Sequence, residues 1–137
     1  MGTLKYLWAA PATVLGLALA GVGVSAGGRI SRHGGVFEAE GRLLAWGLRH
    51  LTFVRGGVSA ITFGHVVLAR DARTLRATRA HERVHVRQYE RWGPLFIPVY
   101  IAASMWAALR GGNPYFDNPF EREARESGDQ ELPIANR

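Results

Sequence analysis

Three residues of this chain have the types and the spacing to do metal chemistry. His81, Glu82 and His85 stand in the order H-E-x-x-H within Ala80–Gln88, which reads AHERVHVRQ. On a helix, positions four apart share a face, so both imidazoles can aim at one metal ion. Glu82, next to His81, is placed to reach a water molecule beside that ion. Two nitrogen ligands and an adjacent carboxylate base are what zinc-dependent hydrolysis of a peptide bond requires. The competing reading of Glu82 is a surface carboxylate paired with Arg79 or Arg83, which involves no metal.

Two histidines are an incomplete site. Hydrolytic zinc takes three protein ligands and leaves a fourth position open. The chain has no cysteine, and no histidine follows His85. A third ligand downstream must therefore be a carboxylate: Asp117, Glu121, Glu123, Glu126, Asp129 or Glu131. The longer pattern H-E-x-x-H-x-x-G-x-x-H is absent, because Gln88 and Arg91 occupy its last two fixed positions.

Asn118–Arg125 reads NPFEREAR, an E-x-x-A at the start of a helix opened by Asn118-Pro119. Together with the H-E-x-x-H, this resembles the gluzincin metallopeptidases, in which a Glu on a later helix completes the site. The stretch HERVHVRQYERWGPLF with NPFEREAR also resembles a group of small uncharacterised bacterial membrane proteins. The resemblance implies Glu121 as third ligand, with Glu123 and Asp117 as substitutes, and Zn²⁺ as the metal. Glu121 has a bland reading as well: with Asn118 as N-cap it falls where a capping box places its Glu. Arg125 stands where the related pattern E-x-x-A-D has the Asp that orients a ligand histidine, so that partner is unassigned. Asp117 is a candidate for it.

The elements that position these residues can be read around them. Gly34-Gly35 marks a hairpin within Arg29–Glu40. Arg42–Leu51 reads as a short helix or a strand. Val58–Leu68, rich in β-branched and aromatic residues, reads as one strand. The resemblance makes Ile61–Leu68 the edge of a substrate cleft. His65 in that strand is a further candidate, as transition-state stabiliser or fourth ligand, against the commoner role of a partly buried strand histidine. Leu75–Trp92 reads as the metal helix, capped by Asp71 or Thr74 and stopped by Gly93-Pro94. Arg79, Arg83 and Arg87 form a stripe expected to be solvated. Leu95–Leu109 is apolar but short for a membrane span. If it did cross a bilayer, His85 and Glu121 would lie on opposite sides, so a shared metal requires that it does not.

Tyr6–Gly28 is an uncharged apolar run, long enough for the roughly 20 residues that cross a bilayer. It reads as a retained membrane anchor; the competing reading is a secretory signal peptide ending at Val24-Ser25-Ala26. Arg29, Arg32, Arg42, Arg49 and Arg55 follow it, which by the positive-inside rule favours a single-pass protein with a cytoplasmic domain. Signal cleavage would instead leave a secreted or periplasmic protein.

The 137 residues fit one small domain with an appendage. Without cysteine, disulfide scaffolds and thiolate metal sites are excluded. Net charge is +6, from 17 basic and 11 acidic residues. The basic residues are scattered and no nucleic-acid-binding module is present, so the charge points to a membrane surface rather than to nucleic acid. The expected architecture is α+β: an anchor at 1–28, a minimal zincin-like domain at 29–127 with a small antiparallel sheet, the metal helix and two closing helices, and a polar tail at 128–137. The expected activity is zinc-dependent cleavage of a peptide or protein substrate. The alternative is a non-catalytic membrane-anchored protein whose zinc clamps helices together.

Overall fold

The computed structural model describes residues 2–52, 54 and 56–131. The end of the expected polar tail, 132–137, lies outside the described residues. Helix α1 (Gly2–Ser25) leads into a hairpin of β1 (Arg29–His33) and β2 (Val36–Glu40). Then come α2 (Arg42–His50), β3 (Ala60–Phe63), β4 (Val66–Ala69), α3 (Ala72–Trp92), a 3₁₀ turn at Gly93–Leu95, α4 (Phe96–Leu109) and α5 (Pro119–Glu131). The fold is α+β, with a helix at the N-terminus apolar and long enough to cross a membrane.

Two expectations about the sheet are corrected. Val58–Leu68 is not one strand but a tight hairpin, β3 and β4, turning at Gly64-His65. Gly64 has φ +60, which an L side chain rarely adopts, and that makes the turn. Both arms are β-branched, so composition did not separate them. The sheet is also mixed rather than antiparallel: its order is β1-β2-β4-β3, with β2 and β4 parallel. The chain leaves β2, passes through α2 and β3, and returns beside β2 in the same direction. That crossover buries β4 between neighbours and between layers, and all four of its residues are buried.

Alternation along the strands assigns the two faces. Ala39, Val66 and Leu68 form one cluster with Ala20 of α1 and Leu44 of α2. Val36, Val67 and Ala69 form another with Leu75 and Val86 of α3. The sheet is thus a middle layer between α1 with α2 and the metal helix α3. Helix α3 starts at Ala72, earlier than expected, because the Thr74 backbone N–H donates to the Asp71 carboxylate at 2.7 Å.

The α3 face of the sheet also carries a charge. Glu38 of β2 is 2% exposed, and Arg79 donates to both its oxygens at 2.9 Å. Arg83 donates to the same carboxylate at 3.1 Å. Arg79 and Arg83, expected on a solvated stripe, therefore hold α3 to the sheet. Burial pushes the Glu38 carboxyl up, but the Arg79 bonds and the charges of Arg79 and Arg83 outweigh it, holding it below the usual carboxylate range. A carboxyl held low when folded stabilises the fold above its unfolded pKa; that contribution is lost as pH falls through the folded value. Glu38→Gln is expected to cost about 2–3 kcal/mol at pH 7, since the two arginines are partly exposed. The cost should shrink as pH drops below about 4. Thermal unfolding of both proteins in detergent at pH 7 and pH 3 checks this; an equal difference at both pH values would remove Glu38 from the ion cluster.

Candidate metal centre

Helix α3 presents His81, His85 and Gln88 to α5, while Glu82 is turned toward β3. Helix α5 can approach closely because its facing residues are small. Ala124 is fully buried, and a Cβ built on Gly128 would stand 3.1 Å from the His81 backbone. The small residue in E-x-x-A therefore has a packing role: it lets Glu121, one turn earlier, reach the histidines.

The three ligand candidates converge. His81 Nε2 lies 3.1 Å from Glu121 Oε2, and His85 Nε2 lies 3.2 Å from Glu121 Oε1. The two Nε2 atoms are 3.3 Å apart. One ligand atom from each residue falls within 4.8 Å of the others, so the group can hold a metal ion. Zinc–nitrogen bonds of ~2.05 Å at tetrahedral angles imply ligand–ligand separations of ~3.3 Å, and the observed spacings fit. The donor set, two imidazoles and a carboxylate without thiolate, also fits zinc.

Without an ion the cluster is a tight charge pair. Burial pushes the Glu121 carboxyl up, but hydrogen bonds with His81 and His85 prevail and hold it well below the usual range. Burial alone would lower His85; its hydrogen bond to Glu121 and the charges of Glu82 and Glu121 instead raise it to about 9. A proton on His85 thus does in the free protein what a cation would do in the loaded one.

The surrounding residues fix these groups. Tyr100 of α4 donates its hydroxyl to Glu121 Oε1 at 2.6 Å. Asn118, fully buried, caps α5 by accepting from Phe120 N at 2.9 Å, and its amide donates to Tyr100 O and Ser104 Oγ of α4. Glu121 therefore takes no part in the cap, and the capping-box reading of it is not what the fold uses. Gln88, fully buried, donates its amide to Phe120 O at 3.1 Å and Glu123 Oε2 at 3.0 Å. That leaves its Oε1 to accept from His85 Nδ1 at 2.8 Å. With Nδ1–H committed to Gln88, it is Nε2 of His85 that faces Glu121, and a metal ion replacing the proton there would meet the Nε2 lone pair. The partner left unassigned in the sequence is thus Gln88 for His85, not Asp117. Its position one turn beyond His85 suits packing or hydrogen bonding near the site, but the residue type does not decide between them.

Glu82 stands beside the cluster, buried, and accepts from the Thr62 hydroxyl at 2.7 Å. It is not paired with Arg79 or Arg83, which are taken by Glu38. A cleft of about 260 Å³ opens onto Glu82, His85 and Glu121, with Thr62, Tyr100 and Tyr115 in its walls. Burial, then the Glu121 charge, pushes both tyrosine hydroxyls above their ordinary range, so they are O–H donors at neutral pH.

The remaining candidates are elsewhere. His65 lies in the β3–β4 turn, not in a strand. Its Nε2 meets Glu90 Oε1 at 2.8 Å and its ring stacks on Tyr6. Asp117 accepts from Asn113 N at 2.6 Å and shapes the loop before α5. Glu123 holds Gln88, one residue removed from the ligands. No protein-family model, curated protein or solved structure matches this chain.

Replacing Gln88 tests that geometry. Gln88→Met keeps the bulk and removes the acceptor for His85 Nδ1. Zinc affinity is expected to fall ten- to a hundredfold, as when such orienting partners are lost elsewhere. Competition against a zinc chelator checks it; unchanged affinity would make Gln88 a packing residue only.

Proposed function

We propose that this chain is a membrane-associated zinc peptidase of gluzincin type, with a minimal zincin-like domain. The observation that carries the reading is the convergence of His81, His85 and Glu121 beside a cleft lined by His85, Glu121 and Glu82. Zinc held by those three residues would supply Lewis acidity, polarising the scissile carbonyl and making water acidic enough to react near neutral pH.

The chain's own residues do the rest. Glu82 takes a proton from the attacking water and delivers it to the leaving amine, so water and amide become acid and amine. The Thr62 hydroxyl occupies Glu82 Oε2, which holds the carboxylate in place and leaves Oε1 for the proton. Gln88 fixes the tautomer of His85, and Tyr100 fixes Glu121. Tyr115 offers an O–H donor on the cleft wall to the substrate carbonyl.

A purely structural ion would close its shell with a fourth side chain. Among the described residues the group has three members. His65, the candidate fourth, and Asp117 are engaged elsewhere. The α3–α5 contact that such an ion would clamp is also fastened through Gln88, which donates to Phe120 O and Glu123 Oε2. The reading is tested by elemental analysis of protein purified without chelator, followed by cleavage of an unfolded protein with and without a zinc chelator. Metal-free protein, or cleavage indifferent to the chelator, would overturn it.

A further inference from the structure

Helix α1 has the length and composition of a membrane span, but its contacts conflict with crossing a bilayer. It is held to the domain along most of its length. Near its start, Lys5 Nζ lies 3.6 Å from Glu90, Tyr6 stacks on His65 at 4.4 Å, and the Trp8 indole fills the space where Gly93 lacks a side chain. In the middle, Thr13 Oγ1 accepts from His65 N at 3.0 Å. A Cβ on Gly16 would stand 2.7 Å from Val66. Toward its end, Ala20 enters the sheet core and Gly23 touches Leu44. The inward strip is all small: Ala9, Ala12, Gly16, Ala20 and Gly23 are buried.

The docked segment from Lys5 to Gly23 is ~28 Å long at 1.5 Å per residue, close to the ~30 Å of a hydrocarbon core. If α1 crossed the bilayer in this state, the sheet beneath it would sit inside the hydrocarbon. That sheet cannot. Strand β1 is an open edge, exposed throughout, and it carries Arg29 and Arg32. Unpaired backbone groups and arginines at that depth each cost several kcal/mol.

The outer face of α1 still requires an apolar partner. Leu4, Leu7, Val14, Leu15 and Val22 are all exposed, opposite the small-residue strip. Cations flank the helix, Lys5 at its start and Arg29 just after its end. A second exposed apolar run, Ile101, Met105, Trp106 and Leu109, belongs to α4, whose Phe96 packs in one cluster with Ala9 and Ala12.

We propose that the chain is monotopic: α1 lies in the plane of the bilayer, with its bulky face in the lipid and its small-residue face on the sheet. The partner is a lipid surface rich in anionic headgroups, complementary to the net charge of +6. Helix α1 is then a layer of the fold and is retained, since signal cleavage would uncover the cluster that Ala20 closes.

The natural chain has no cysteine, so topology can be read with single labels. Gly2→Cys and Ser25→Cys place one thiol at each exposed end of α1. Each full-length variant is made in a bacterial host and tested in sealed right-side-out and inverted vesicles with a membrane-impermeant maleimide. Both thiols should label in the same vesicle orientation, at least tenfold over the other. Labelling of the two ends in opposite orientations would mean a span and overturn the proposal. Wild-type protein should also float with phosphatidylglycerol-containing liposomes on a density gradient. Protein that stays at the bottom as a self-associated species would assign the apolar face to a second copy, and overturn it too. Neither readout involves zinc or turnover, so the outcome is separate from that of the peptidase reading.

Discussion

Glu121→Ala should leave the protein folded and empty it of zinc, with affinity reduced about a hundredfold or more. The reduction should exceed the ten- to hundredfold cost of losing a residue that only orients a ligand, because Glu121 supplies the sole carboxylate of the three-member group. The competing explanation of Glu121 is local: a capping residue whose loss would loosen α5. The cap belongs to Asn118, which accepts from Phe120 N and receives the Arg122 N–H on its carbonyl. Helix α5 is also fastened independently through Asn118 to Ser104 and through Gln88 to Phe120. Removing the carboxylate leaves Tyr100 without its acceptor, a cost of about 1–3 kcal/mol that the fold must carry. Elemental analysis beside Glu123→Ala and Asp117→Ala, with circular dichroism to verify folding, separates the cases. Zinc retained in Glu121→Ala but lost in Glu123→Ala would move the ligand to Glu123.

Much of the centre was legible because its chemistry is local. His81, Glu82 and His85 lie within one turn of helix, and spacing alone puts them together. Glu121 was reachable only through the resemblance, since elimination among the carboxylates left six candidates. The spatial reason for E-x-x-A, a small residue at the contact between α3 and α5, emerges only when Ala124 and Gly128 are seen against the metal helix. Gln88 was harder still. An amide between a histidine and a backbone carbonyl has no compositional signature, and its role depends on Phe120, 32 residues away.

The sheet was legible in part for a different reason. Gly34-Gly35 marks its turn without ambiguity, whereas Val58–Leu68 has the single Gly64 among β-branched and aromatic residues, which hides the turn. The parallel pairing of β2 with β4 is a long-range choice that local pattern does not encode. Glu38 shows the same limit: nothing in its local pattern marks it as buried, and only the arrival of Arg79 and Arg83 from α3 makes its burial tolerable. Helix α1 carries two patterns at once. Its composition and length are those of a span, and a strip of alanine and glycine along one side lets it lie against a sheet.

Glu82→Gln should keep zinc at the wild-type level and lower peptide hydrolysis by ~10²–10⁴-fold. Metal is kept because Glu82 lies outside the ligand group. The fold is kept because the amide oxygen of Gln can still accept from Thr62 Oγ1, replacing the 2.7 Å bond to the carboxylate. What is lost is the capacity to take a proton, since an amide is not a base near neutral pH. The isosteric change thus isolates proton transfer from binding and position. It also divides the two zinc readings: a structural ion would be indifferent to Glu82, and no chelator-sensitive activity would exist to lose. Rates are best compared at equal zinc occupancy, with an unfolded protein as substrate over pH 5–9. A variant within about twofold of wild type would remove Glu82 from the mechanism and leave the proton to another group. A variant that loses both zinc and activity would instead place Glu82 among the residues that hold the metal.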